Sequence, residues 1–261
     1  MFKAIGLLFR QRRLLLATTV QAMRARFIGN VLGAGWLVIY PLIFLSMYSL
    51  VYIFILGVRV PGLGTTDYVL VIFSGLVPFL AFSEAFGVGT PSIVANRGLL
   101  KNTLFPIELV VARDVIVGHV SMGLGMVLVW IVVAYNGHLY WSHLAVPLIY
   151  ILQILMAIGL VWISSTVTVF FRDLQQATPI IILFLMLVSP IGYTDAMVPK
   201  DLKPILQFNP LARLMHMYRA CLLDGELPVE DLFIFGVFSM LMLAIGYNLI
   251  SRLKPLFNDY V

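Results

Sequence analysis

VIVGHVSMGLGMVLVWIVVAYNGHLYWSHLAVPLIYILQILMAIGLVWISSTVTVFF, residues 115–171, is a run of 57 residues without Asp, Glu, Lys or Arg. A membrane-spanning helix needs roughly 20 mostly apolar residues, so this run holds two helices and the hairpin between them. The other charge gaps extend the reading. Arg26 to Arg59 encloses 32 uncharged residues, Asp173 to Asp195 encloses 21 and Asp231 to Arg252 encloses 20. Tyr68 to Phe86 carries a single charge, Glu84. The pattern predicts six spans, at about 32–56, 68–86, 115–135, 145–171, 178–194 and 232–250. None has the weak alternation of a membrane barrel strand, so the expected fold is all-α and polytopic, one domain over residues 1–261.

Composition agrees. Apolar residues make up 61% of the 261 and charged residues 11%, and mean hydropathy is +1.02. A soluble domain is about 45–50% apolar and about 25% charged. A soluble enzyme, a disordered chain and a nucleic-acid-binding module are excluded despite the net charge of +5. An enzyme embedded in the membrane is not. With Cys221 the single cysteine, no disulfide forms within the chain and cysteine spacing suggests no metal or redox pair. The short apolar run Leu14–Val20 lies between arginines with no small-residue cleavage site, so no cleavable signal is expected. With six spans, twelve Lys and Arg fall on the side of the N-terminus and five on the other, which places both termini in the cytoplasm.

Three segments do not span. Residues 1–27 carry Phe2, Ile5, Leu8 and Phe9 at helical spacing, followed by Arg10, Arg12 and Arg13. This predicts a basic amphipathic helix lying on the anionic inner leaflet. Residues 87–114 are cytoplasmic, and Pro91 and Pro106 bracket a short helix displaying Asn96, Arg97 and Lys101. In residues 195–231, on the outer side, Asn209 reads as an N-cap with Pro210 at the first helical position. A helix from there to about Leu223 would end near Gly225 and place Leu211, Leu214, Met215, Tyr218 and Leu222 on one apolar face. That face suits re-entry into the membrane where protein or water covers the backbone.

Chemistry is sparse. The chain has no phosphate loop, no G-x-S-x-G and no H-E-x-x-H. Of four histidines only His119 lies in an expected span, and Glu84 is the one candidate for a proton relay. Arg113-Asp114 and Arg172-Asp173 sit at cytoplasmic helix ends. Adjacent helix positions do not face each other, so neither is expected to be a self-contained ion pair. The sharpest pattern is Trp36, Tyr40, Phe44, Tyr48 and Tyr52, five rings at four-residue intervals in the first span. They drift about 40° per step and cover about 24 Å of one face. Interfacial belts put Trp and Tyr at span ends, whereas here Tyr40, Phe44 and Tyr48 lie mid-span. Rings with hydroxyls suit a sugar chain, which stacks its C–H faces and exchanges weak hydrogen bonds as it slides. Ordinary helix packing accounts for the spacing equally well.

Read together, Arg26–Leu42 (RFIGNVLGAGWLVIYPL), Ala95–Pro106 (ANRGLLKNTLFP), Phe170–Leu174 (FFRDL) and Phe208–Gly225 (FNPLARLMHMYRACLLDG) resemble the membrane subunit of ABC-2 type exporters. The branch is the polysaccharide-export one, with the Kps-type capsule permeases and the O-antigen permeases. The resemblance covers the whole chain in motif order and topology. It implies a transport subunit of the bacterial inner membrane with no ATPase site and no cofactor of its own. ATP and Mg would be bound by two separate ATP-binding subunits, and two copies of the chain would pair. The cargo would be a lipid-linked capsular or surface polysaccharide, with membrane lipids and a periplasmic co-polymerase or adaptor as further partners and no nucleic acid. Asn96, Arg97, Leu99, Leu100 and Lys101 would form the coupling helix on the ATPase, with Arg172 and Asp173 a second contact. Asn209, Pro210, Arg213 and Arg219 would belong to an outer gate. The N-terminal helix would be an inner gate, and the stripe would line a channel at the dimer interface, between spans 1 and 5. The alternatives are an ABC-2 permease for teichoic acid or a drug, and an intramembrane transferase acting on lipid-linked sugars.

Overall fold

The structure, a computed structural model, describes residues 2–55, 57, 64–98, 106–193, 198, 199, 201 and 203–257. Its helices are α1 (Phe2–Arg10), α2 (Arg12–Phe27), α3 (Trp36–Ser49), α4 (Thr65–Gly89), α5 (Ser92–Ala95), α6 (Ile107–Tyr135), α7 (Val146–Phe170), α8 (Asp173–Val188), α9 (Lys203–Phe208), α10 (Pro210–Arg219) and α11 (Val229–Leu253). No β-strand occurs among the described residues.

Among the described residues, five stretches are long and apolar enough to cross a bilayer: Gly33–Ile55, Thr66–Gly89, Ile107–Tyr135, Trp141–Phe170 and Val229–Leu256. The fifth expected span, 178–194, falls instead on α8, whose 16 residues are apolar but short. A helix of that length covers about 24 Å, less than the hydrocarbon thickness. Asp173 places an anion in its first turn, where the helix dipole favours one. Pro190 then forces Ser189 into an extended conformation, φ −87° and ψ 140°, and the helix stops. Proline also corrects the third span. Charge counting starts it at Val115, but Pro106 is extended and launches α6 at Ile107, so that Glu108, Arg113 and Asp114 all lie on the helix.

The bundle is built around α4, the most enclosed spanning helix. Helix α6 packs along α4, and Gly118 of α6 is the point of closest approach. A Cβ there would stand 2.8 Å from the Ala85 nitrogen. Helix α7 packs on α4 and α6 and then, on its far side, on α11. The α7–α11 crossing is set by Gly159 and Gly246, each of which lies against the other helix's backbone with no room for a side chain. The helix α3 lies at the periphery, and its span is the least covered of the five. The outer face of α8, with Ile180, Leu183, Phe184 and Leu187, is likewise exposed.

The amphipathic N-terminus forms two helices rather than one or a frayed tail. Ala4 of α1 and Leu15 and Thr19 of α2 are buried, with α2 lying on α6 and α1 touching α11. Ile5 and Phe9 stay exposed, and the Arg12 guanidinium sits 4.5 Å over the Phe9 ring.

Candidate functional site

The aromatic stripe begins at the mouth of a cleft. Trp36 and Tyr40 border a cavity of about 590 Å³ with Arg26, Glu84 and Ser83, floored by Leu80, Met122 and Ile182. It lies where the end of α2 meets α3, α4, α6 and α8. Arg26 and Glu84 form an ion pair across it, which fastens the N-terminal segment to α4. Glu84 therefore holds an arginine, and the proton-relay role weighed for it has no support in its surroundings.

The five rings do not share one environment. Trp36 and Tyr40 are exposed, whereas Phe44, Tyr48 and Tyr52 pack in part against the core. Tyr40 and Phe44 are 4.8 Å apart and tilted, and Tyr48 and Tyr52 are stacked at 5.9 Å. Beyond Ser49 the helix continues as a π-helical turn, Leu50–Ile55, and the Tyr52 ring closes on Gly192, where a Cβ would overlap it. The hydroxyls of Tyr40, Tyr48 and Tyr52 make no hydrogen bond among the described residues. Leu42 is exposed on the face of α3 opposite the stripe. Leu37 borders the cleft beside Trp36.

In the segment expected on the cytoplasmic side, α5 is a single helical turn starting after Pro91. Leu99, Leu100 and Lys101 lie outside the described residues. Arg97 is exposed, as are Arg172 and Asp173 at the start of α8. Asn96 is turned inward instead of being displayed. Its side chain donates to the Ser92 carbonyl at 2.8 Å and accepts from Arg113 at 3.4 Å. Arg113 and Asp114 do form an ion pair, at 2.7 Å, contrary to the helix-geometry expectation. Their backbones diverge by about 100°, but the long arginine stem bends back over that angle, so the rule for short neighbours fails here. The second Asp114 oxygen accepts from the Ser92 hydroxyl at 2.5 Å.

The segment around α10 follows the sequence closely. The Asn209 side chain accepts from the Leu211 nitrogen at 2.9 Å and caps α10, with Pro210 in its first turn. The helix runs on as a π-helical turn, Ala220–Asp224, and ends at Gly225 with φ 73°. A side chain at Gly225 would also meet the Tyr140 ring, 2.7 Å away. The whole predicted face is buried: Leu211, Leu214, Met215, Tyr218 and Leu222. The Tyr218 hydroxyl donates to Gln153 at 3.0 Å, and Gln153 donates to the Pro78 carbonyl at 2.8 Å, so one polar chain ties α10 to α7 and α4.

Two arginines treated alike in the sequence have different settings. Arg213 pairs with Asp231, which also accepts from His216 at 2.8 Å. Arg219 instead donates to the carbonyls of Val71, Pro190, Ile191 and Tyr193. Gly75 makes the space for it, since a Cβ there would stand 3.0 Å from the guanidinium. Arg219 thus clasps α10 to α4 and to the 189–193 turn against which Tyr52 closes. No sequence signal distinguishes these two arginines, because carbonyl groups carry no residue identity.

His119 is buried, with one ring nitrogen 2.9 Å from the Val115 carbonyl and its ring edge-on to Tyr150. No group of three or more His, Cys, Asp or Glu able to hold a metal occurs among the described residues.

These features define a multi-pass helical membrane protein with a structured elbow after α4, a covered helix α10 and an open, aromatic-lined helix at its edge. Residues 8–223 match the ABC-2 type transporter family, and the chain belongs to it. It is 27% identical to an O-antigen export system permease protein, RfbA, of Klebsiella pneumoniae over 94% of each chain. The Myxococcus xanthus protein of the same name is 24% identical over the full length of both. A polysialic acid transport protein, KpsM, of Escherichia coli is 25% identical over 89% of this chain and 90% of its own.

Proposed function

We propose that the chain is the transmembrane subunit of an ATP-driven exporter that carries a lipid-linked surface polysaccharide across the bacterial inner membrane. Two copies pair, each with an ATP-binding subunit that holds ATP and Mg, and both termini lie in the cytoplasm. The observation that carries this reading is the stripe from Trp36 to Tyr52. It starts at the Arg26–Glu84 cleft, keeps three hydroxyls free of partners among the described residues, and lies on the least covered spanning helix. A ligand surface on an uncovered helix at the edge of one copy fits a path completed by a second. The relatives named for O-antigen export and polysialic acid transport point to the same cargo class. A transferase has less support, because Glu84 is held by Arg26 and His119 lies against Val115 and Tyr150, which leaves no convergent acid and base among the described residues.

The exposed end of the elbow, with Arg97, and the exposed Arg172-Asp173 are then the surfaces that meet the ATPase. Co-expression with candidate ATP-binding subunits tests this. The chain alone should hydrolyse no ATP, and it should co-purify with one such subunit whose hydrolysis responds to glycolipid. Hydrolysis by the purified chain without a partner, or failure to hold any ATP-binding subunit, would sink the reading.

A further inference from the structure

We infer that Ser92 and Asp114 form the joint through which movement of the cytoplasmic elbow enters the spanning helices, so that both are positioning residues for coupled transport. This rests on the elbow being the ATPase contact. A four-residue helix cannot hold its own direction, because its few hydrogen bonds do not offset the cost of nucleating it. The direction of α5 is therefore set by what it is tied to.

The tie is a closed ring. The Ser92 hydroxyl donates to one Asp114 oxygen at 2.5 Å, and Arg113 donates to the other at 2.8 Å. Arg113 reaches Asn96 at 3.4 Å, and Asn96 returns to the Ser92 carbonyl at 2.8 Å. Ser92 is 1% exposed and Asp114 9%, so little water competes for these bonds. Directional bonds in such a place resist rotation, whereas apolar contacts let one surface slide over another.

A second attachment works in the same sense. The Thr90 and Ser164 hydroxyls are 3.0 Å apart, Gly89 lies against Val161 with no room for a Cβ, and Ile93 is fully buried. The elbow is thus fixed to α6 and α7 at once. Gly118, one turn beyond Asp114 on α6, is the closest approach to α4. A push on the elbow arrives at the α4–α6 contact in the centre of the bundle.

The test uses the full chain in complex with its co-expressed ATP-binding subunit and reads complex yield, ATP hydrolysis and exported glycan. For Ser92→Ala we expect yield and hydrolysis within about twofold of wild type and export about tenfold lower, so that ATP used per glycan rises. Ser92→Thr keeps the hydroxyl and should restore the ratio. Asp114→Asn removes the charge that holds Arg113 and should show the same split, and it decides the matter if Ser92→Ala does not assemble. Export that simply follows complex yield, normal export from both variants, or a Ser92→Thr protein as impaired as Ser92→Ala would overturn the joint. A wild-type chain that binds no ATP-binding subunit would overturn the ATPase contact itself, which is a separate outcome.

Discussion

Tyr40 and Tyr48 sit two turns apart on α3, the first beside the cleft and the second partly packed against the core. Ring stacking contributes about 0.5–1.5 kcal/mol beyond area burial for aromatic pairs, and a sugar face gains no more. Losing one ring from a sliding path should then slow export by about two- to tenfold, since each 1.36 kcal/mol is a factor of ten in rate. Tyr40→Ala and Tyr48→Ala are expected to reduce surface glycan while expression and ATPase binding persist. Leu42→Ala is the proper control, because Leu42 is exposed on the opposite face of the helix, whereas Leu37 borders the cleft and Leu45 packs on the core. Normal export by both tyrosine variants would remove the stripe from the path. At this scale the sequence was legible where one backbone rule decides. Asn209 as a cap and Gly225 as a left-handed stop both follow from local chemistry. The Arg113–Asp114 pair and the Arg219 clasp were not legible, since one depends on a bent side chain and the other on carbonyls from two distant segments.

Helix ends were legible from proline and less so from charge. Pro106 and Pro190 fix the start of α6 and the end of α8; counting charges starts α6 too late because the helix carries Glu108, Arg113 and Asp114 along, and ends α8 too late because Pro190 stops it inside the uncharged gap. Packing between helices was not legible, as the twenty glycines look alike in sequence. Gly159 and Gly246 hold α7 and α11 at backbone contact, whereas Gly6 in α1 has nothing within 4 Å. Gly246→Ala should therefore push α11 away from the Gly159 carbonyl and cost about 1–3 kcal/mol, the range for overpacked cores. The purified protein should melt several degrees lower, at about 2–4 °C per kcal/mol for a chain of this size. Gly6→Ala should be neutral or slightly stabilising through helix propensity alone. Size-exclusion profiles after graded heating read both, and equal melting of the two variants would show that the α7–α11 crossing yields without cost.

Orientation in the membrane belongs to the whole molecule, and it decides which surfaces meet the ATPase. The argument from twelve cations against five needs an even number of crossings, and α8 is the helix in question at 16 residues. If α8 crosses, α10 and its flanks face the outside. Cys221, the single cysteine, cannot report it. It is fully buried, and burial pushes its thiol up to about 11. A buried thiol held in its neutral form is shielded from a maleimide on either side, and its silence says nothing of topology. Asp201 and Asp224 are exposed and flank the buried helix on either side. Single cysteines placed there in a Cys221→Ala background are expected to react with a membrane-impermeant maleimide in spheroplasts and to be protected in inverted vesicles. Native Cys221 should react in both only after denaturation. Labelling of both new cysteines only in inverted vesicles would turn the molecule over. The elbow at 87–98 would then face outward, away from any cytoplasmic ATPase, and the Ser92–Asp114 ring would need another purpose.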